Sequence, residues 1–554
     1  KNSAGKTFYG FTDYYTAADK TTQTMTIDEE AGTITGCIPY LNDRNLVPEV
    51  SMSPSGAKLQ HNEGNGFVDW DGTSEIDFSA GKIIRVTKDG TSRDYVVEIT
   101  NTGLPVVVIN QPGGTVSWTN IGDTVVEKDP SDDTPNGTVT IYDADGTINL
   151  DTVEGLTRLR GNTTMDYPKK PFAIKLAGKA EVLGMPKHKR WVLLANWKDR
   201  SLMRNHIALG VARIFSEQLG GAKKDALKTD GIPWNVRGQF VEVVYNGVHI
   251  GNYYLCEQIK IDSNRVPVQK EYEKDKGAVT KEQMAGYGYL LEVDDNFDET
   301  GKFMTKHHLP FMFKDDVTDA IVSSVKTKIQ GIETNIKNGN FDAAFSDLDI
   351  NSVIDQMLTL ELAMNREYGD PRSVYMFMDG NGKLSGGPVG DFDRGTFQNP
   401  SKAEELCDNN GPKGSNGKYY RVKSYDEWLY WRNGTNQETD SYSYVWYRGL
   451  AKSDVFKAKV QERWAVIKPY LDKIPEMINM YGQSLAVSYK YDSAMWPTTK
   501  ADIRKYKSDF NDWSGDETLG ANGNYQEVIN NFVTVYQERL AGLDYLITSG
   551  KFTK

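Results

Sequence analysis

The sequence predicts an α+β protein: an all-β sandwich followed by a larger domain with a β-rich first half and a helical second half. Three observations carry this. Residues 1–103 alternate with period two and show no helical period. Short apolar runs of strand length dominate from Leu104 to about residue 315, and a 3.6-residue period takes over beyond it. Strands followed by helices are the pattern of an α+β domain. At roughly 100–200 residues per domain, 554 residues allow two to four. The expected boundaries are 1–103 for the sandwich and 104–554 for the larger domain, whose lobes span 104–315 and 316–554.

Within the sandwich, Thr24–Asp28 and Gly32–Gly36 flank an acidic turn. Ile83–Thr87 and Tyr95–Ile99 are joined through Asp89-Gly90, a strong hairpin signal because both turn positions need positive φ. Leu104–Ile109 opens the next domain as a buried strand, and the polar stretch Lys128–Gly137 reads as a loop. Thr138–Tyr142, Phe172–Leu176, Trp191–Leu194, Phe240–Tyr245, Gly251–Glu257 and Tyr289–Val293 follow as strands. One helix interrupts them, its apolar face drawn from Leu202, Ile207, Leu209, Val211, Ile214 and Phe215, with Asp199 or Ser201 as N-cap. The helical half comprises Val317–Lys337, Asp349–Glu367, Val445–Ala486 and Tyr525–Ser549. A hairpin lies among them, from Val374–Met378 through Asp379-Gly380-Asn381-Gly382 toward Gly390.

Composition excludes several classes. With 64 basic and 76 acidic residues the net charge is −12, which argues against nucleic acid as a partner. No apolar run approaches the ~18 residues that cross a bilayer. Three cysteines are too few for a disulfide framework or a zinc cluster. Lys1-Asn2-Ser3-Ala4 reads as a start left by processing or cloning, which leaves room for an export signal and a lipid anchor upstream.

Three constellations bear chemistry. Arg160-Gly161-Asn162-Thr163-Thr164 precedes Lys169–Leu176, in which Lys175 sits on a strand; a Gly-containing loop beside a strand lysine is what holding nucleotide phosphates requires. Gly390-Asp391-Phe392-Asp393-Arg394-Gly395 offers two carboxylates at i and i+2, which point the same way on extended backbone and suit Mg²⁺ together with phosphate oxygens. Asn365–Asp370 ends a helix just before a strand, about twenty residues ahead of the paired carboxylates, where a catalytic-loop Asp sits. Each has a plain alternative: a solvated lysine, an acidic turn, and turn initiation at Asp370-Pro371.

Together these motifs resemble the spore-coat protein H (CotH) family of atypical protein kinases. The resemblance runs through Arg160–Thr163 with Lys169–Lys175, Trp191–Asn196, Asp199–Asn205, Val243–Gln258, Gly288–Asp294 and Asp391–Asp393. It implies a two-lobed kinase-like domain using ATP and Mg²⁺. Lys175 would meet the phosphates, with Arg160 and Glu257 supporting the nucleotide; Asp370 would be the catalytic-loop Asp, and Asp391 or Asp393 the metal ligand. The family usually carries Asn shortly after the catalytic-loop Asp, where this chain has Ser373, a poorer cation ligand. The first module resembles the Ig-like domains of exported Bacteroidetes-type proteins through Asp77-Phe78-Ser79, Asp89-Gly90 and Tyr95-Val96-Val97.

The function so implied is an exported kinase, at the cell surface or in the periplasm of a Gram-negative bacterium, transferring the ATP γ-phosphoryl to Ser/Thr hydroxyls of a protein substrate. The alternative is an inactive kinase-like surface module that binds a glycan or protein through the aromatic cluster Trp428, Tyr430, Trp431, Tyr442, Tyr444, Trp446 and Tyr447. Among smaller features, His307-His308 reads as a pair of solvated loop histidines, Cys256 as a small buried hydrophobe, and Gly411–Gly417 as a loop or lid.

Overall fold

The computed structural model describes residues 25–38, 45–78, 81–115, 134–219, 231–270, 287–294, 296–365, 372–393, 396–400, 424–431, 444–496 and 524–553. It is a mixed α/β protein that divides into two units. The first is Lys1–Ala195 with Gln239–Leu255 and Ser484–Pro497; the second is Asn196–Gly238, Cys256–Gln483 and Thr498–Lys554.

The first unit begins with β1 (Thr26–Asp28), β2 (Thr33–Ile38), β3 (Asn45–Leu46), β4 (Lys58–Glu63), β5 (Gly66–Asp69), β6 (Ile76–Asp77), β7 (Ile83–Lys88) and β8 (Thr91–Asn101). Six of these form a sheet in the order β1-β2-β8-β7-β4-β5, and β3 pairs with β6. Asp89 and Gly90 both have positive φ, 48° and 78°, so the β7–β8 hairpin turns where the sequence indicates. Along β8, Tyr95, Val97 and Ile99 are buried while Val96 and Glu98 face solvent. The buried set packs with Ile34, Leu59, Ile76, Phe78 and Ile84 as one core. β2 runs parallel to β8, a pairing that needs a crossover and leaves no turn signal.

Seven strands then close a barrel: β9 (Val106–Asn110), β10 (Gly137–Tyr142), β11 (Ile148–Leu159), β12 (Phe172–Val182), β13 (Met185–Leu194), β14 (Gly238–Tyr245) and β15 (Val248–Glu257). Their order is β10-β11-β12-β13-β15-β14-β9, and β9 closes the ring by pairing with β10. Closure leaves no unpaired edge. β11 is not anticipated by the sequence reading, because its faces are not sorted by polarity: Ile148 is exposed with Asp151, Thr152 and Glu154, while Thr157 is buried.

A buried polar network ties the last turns of a long helix to this barrel. Lys169 is wholly buried, donates to Asp492 at 2.6 Å and to the Asn252 carbonyl, and lies 4.5 Å above the Tyr253 ring. The Asn252 amide also donates to Asp492 at 2.9 Å. Burial pushes Lys169 down and Asp492 up, and their mutual contact pulls each back. Asn252 Nδ2 donates to Ser488, Ser488 donates to Glu242, and Glu242 holds His249 at 2.7 Å. Lys169 is thus engaged in holding structure.

The second unit contains α1 (Arg204–Gln218), β16 (Gln269–Lys270), β17 (Tyr287–Val293), β18 (Lys302–Met304), β19 (Pro310–Phe313), α2 (Asp319–Asn338), α3 (Phe341–Asp347), β20 (Leu348–Asp349), α4 (Ile350–Leu362), β21 (Val374–Met378), β22 (Leu384–Gly386), α5 (Asp454–Leu471), α6 (Ile474–Met495, whose last turns belong to the first unit) and α7 (Tyr525–Thr548). Its sheet runs β18-β19-β17-β21-β22-β20, with β16 on β17. α2 starts at Thr318, whose hydroxyl accepts from the Ile321 amide, and stops at Gly339 with φ 77°. Its Val325, Ile329, Ile332 and Ile336 form the buried stripe. α4 is buried from Ser352 to Leu362, polar residues included, because Asp355 pairs with Arg463 and Glu361 with Arg539.

The stretch Val445–Ala486 is helical, divided between α5 and α6 by a break from Leu471 to Ile474, where Asp472 closes α5. Of the aromatic cluster, Trp428, Tyr430, Trp446 and Tyr447 are buried and so do not form the working surface of the binding-module alternative; Trp428, Tyr430 and Trp431 donate to the carbonyls of Lys551 and Phe552, gripping the C-terminal residues. Tyr442 and the Gly411–Gly417 loop lie outside the described residues. Cys256 is buried, as expected. Among the described residues no helix is long and apolar enough to cross a membrane.

Candidate functional site

The site grows from the start of α1. Neither Asp199 nor Ser201 is its N-cap; Met203 takes that position without a side-chain bond. Asp199 nevertheless serves the helix start. Its carboxylate accepts from the Arg204 amide at 2.6 Å, the Arg204 guanidinium at 2.7 Å and the Ser201 hydroxyl at 2.6 Å. A buried carboxylate at a helix N-terminus satisfies an orphan amide and suits the helix dipole. This fixes the first turn and the direction of Asn205.

Asn205 reaches the segment that follows β22. Its Oδ1 accepts from the Phe392 amide at 3.2 Å, and its Nδ2 donates to Asp393 at 2.5 Å and to Asn196 at 2.9 Å. Asn365, beyond the end of α4, donates to the Asp391 carbonyl at 2.9 Å. Phe392 is fully buried between these anchors, whereas Asp391 is exposed.

The paired carboxylates therefore differ from the extended arrangement expected of them. The last strand ends at Gly386, and Asp391 has φ 58°, a left-handed backbone, so the i, i+2 rule does not apply. Asp393 is tied to Asn205. Asp391 receives only long contacts, 3.4 Å from the Ser373 hydroxyl and 3.4 Å from the Asp393 amide. Ser373, at the position where the resembled family carries Asn, also has a left-handed backbone at φ 51°. Its amide donates at 3.0 Å to buried Asp294, whose other oxygen accepts from Asn296 at 2.8 Å. Asp294, Asn205 and Asn365 all lie within stretches the sequence singles out, but nothing local in the sequence marks them as partners of Asp391–Asp393.

The remaining candidates sit as follows. Lys175 is half-buried on β12, opposite Leu156 of β11 and Arg190 of β13. Arg160 follows β11, its amide donating to the Pro171 carbonyl at 3.2 Å. Gly161 next to it has φ 87°, and a Cβ there would meet the Thr164 hydroxyl. Glu257 is buried at the end of β15, and Arg237 holds both of its oxygens, at 2.9 and 2.8 Å. A carboxylate so occupied stabilises its surroundings. Asp370 lies outside the described residues.

Among the described residues no cluster of three His, Cys, Asp or Glu side chains could hold a metal ion unaided. Mg²⁺ takes one or two carboxylates and completes its shell with water and phosphate oxygens. One exposed carboxylate beside a serine hydroxyl fits a cation that arrives with a nucleotide.

No curated protein matches this chain. The model of a protein family described as CotH kinase protein matches residues 157–543, a span that takes in α1, Ser373 and the Asp391–Asp393 turn and exceeds half of the chain. The protein belongs to the CotH kinase family.

Proposed function

We propose that the protein is an exported protein kinase with a two-lobed kinase-like domain, transferring the ATP γ-phosphoryl to Ser/Thr hydroxyls of a protein substrate. The observation that carries this reading is Asp391: an exposed carboxylate on a strained, tightly held turn, with Ser373 beside it. Strained backbone that the surroundings over-determine concentrates at functional sites. In this reading Asp391 and Ser373 face a cation carried by the nucleotide. Mg²⁺ supplies neutralisation of the phosphate charge. Lys175 orients the phosphates, Arg160 and Glu257 support the nucleotide end of the site, and Asp370 accepts or orients the proton of the attacking hydroxyl. The N-terminal β region acts as an Ig-like spacer, so a chain beginning at Leu104 retains nucleotide binding.

The test is nucleotide-dependent stabilisation followed by transfer. ATP with Mg²⁺ should raise the melting temperature, and γ-labelled ATP should label the protein itself or a Ser-rich peptide. Lys175→Ala should weaken ATP binding, and Asp370→Ala should lower transfer while sparing binding. Well-folded protein that neither binds ATP with Mg²⁺ nor transfers phosphate refutes the reading.

A further inference from the structure

Three side-chain amides hold the segment that carries Asp391 and Asp393. Asn235 accepts from the Val389 amide at 2.9 Å and is itself fixed on α1, donating to the Ala212 carbonyl at 3.0 Å and to Ser216 at 2.7 Å. Asn365 holds the Asp391 carbonyl, and Asn205 holds both the Phe392 amide and the Asp393 carboxylate. All three asparagines are buried, at 2%, 1% and 3% exposure. A carboxamide offers donor and acceptor together without charge, so one side chain can hold a backbone amide and a carboxylate at the same time.

Strain gathers at the same place. Of the eleven non-glycine residues with positive φ among the described residues, six lie in the segments that meet here: Asn196, Leu202, Met364, Ser373, Asp391 and Phe397. Two of them are directly linked to the anchors, because Asn196 accepts from Asn205 and donates to the Leu202 carbonyl at 2.9 Å. The Phe397 amide returns to the Ala363 carbonyl at 2.8 Å, beside Met364 and Asn365. Such conformations persist only where surrounding bonds impose them.

We propose that Asn205, Asn235 and Asn365 are positioning residues that hold the Asp391-Phe392-Asp393 turn in one geometry. They commit Asp393 to the protein and leave Asp391 as the carboxylate presented to ligand. The identity of that ligand rests on the kinase reading; the clamp does not. Asn205 is the central element because it touches both the backbone and a side chain of the turn. Its support is α1, whose start is fixed by Asp199.

Two readouts on the full chain separate these claims. Peptide-resolved hydrogen exchange over residues 388–393 reports the clamp, and titration with Mn²⁺ in the presence of ATP reports the ligand. Asn205→Ala should speed exchange of the Phe392 amide about tenfold or more and weaken Mn²⁺ binding about 10–100-fold, as expected when a ligand's supporting partner is lost. Barrel amides should exchange as before. Asn205→Asp keeps an acceptor for the Phe392 amide but removes the donor to Asp393. It should preserve most of the protection while weakening Mn²⁺, a split that a merely structural residue would not produce. Unchanged Phe392 exchange in Asn205→Ala overturns the clamp, as does faster exchange with Mn²⁺ affinity intact. If the wild-type protein binds no Mn²⁺ with ATP, the kinase reading fails, and exchange alone then decides the clamp: acceleration sustains it and no change refutes it.

Discussion

Carboxylates of the second unit fall into two groups. Asp355 and Glu361 lie wholly buried on α4, the first gripped by Arg463 at 2.6 Å through both oxygens, the second by Arg539 at 2.9 Å and by the amides of Leu429 and Tyr430. Asp391 is exposed, touched at 3.4 Å by a hydroxyl and an amide, and its backbone is strained. The first group is saturated, so it serves packing between helices; a further ligand would have to displace an arginine. The second is held by its backbone, so its side chain stays available. Glu257, at the end of β15, is likewise gripped through both oxygens, by Arg237.

Breaking the saturated group should cost most. Glu361→Ala removes the carboxylate that neutralises the buried Arg539 guanidinium and leaves it with backbone carbonyls only, those of residue 361, Tyr425 and Glu427, so urea unfolding should show a loss of about 3–5 kcal/mol. A loss under about 1 kcal/mol would mean that the carbonyls around Arg539 suffice to stabilise its charge. Glu333 on α2 sharpens the comparison, because it is buried without an arginine. Burial pushes it up to about 8 from an ordinary 4.5, only partly countered by Thr305 and Trp446. The folded state keeps this proton up to about pH 8 and the unfolded chain releases it near pH 4.5, so the contribution is fully present at low pH and is lost as pH rises through that window. Wild-type stability should fall with a slope approaching about 1.4 kcal/mol per pH unit from this group, and Glu333→Gln should flatten it. An identical pH profile for the two proteins would remove Glu333 from the account.

The available group should behave in the opposite way. Asp391→Asn keeps a residue that tolerates left-handed backbone, so stability should change by no more than about 0.5 kcal/mol. Stabilisation by ATP with Mg²⁺ should nevertheless disappear; if it persists, Asp391 is not the ligand. The smallest effect is expected for Ser373→Asn. Asn accepts φ 51° more readily than Ser, so the variant should be neutral or stabilised by a few tenths of a kcal/mol, while the added carboxamide beside Asp391 tightens cation binding. Weaker Mg²⁺-dependent stabilisation in this variant would remove Ser373 from the cation's surroundings.

Much of this architecture is legible in the sequence because it depends on neighbours. The Asp89-Gly90 turn, the alternation of Tyr95, Val97 and Ile99, and the helical stripes of the second half are set by residues a few positions apart. The order and spacing of motifs over several hundred residues likewise reveal the family. β11 escapes because polar and apolar residues are mixed on both its faces, with Ile148 exposed and Thr157 buried, and the α5–α6 break escapes because the helical period continues across it.

What the tertiary structure alone decides is which partner each motif residue has. Asn205 and Asp393 are 188 positions apart, and Asn235 and Val389 are 154 apart. No local propensity links them; they meet because the packed chain brings each buried amide to partners distant in sequence. Hydrophobic period and turn chemistry determine the elements, since those terms act over a turn of helix or a pair of strands. The roles of Lys169 as a buried strut, Glu257 as an arginine's partner and Asp391 as the exposed carboxylate follow from burial and hydrogen-bond satisfaction, which exist only once the chain is packed.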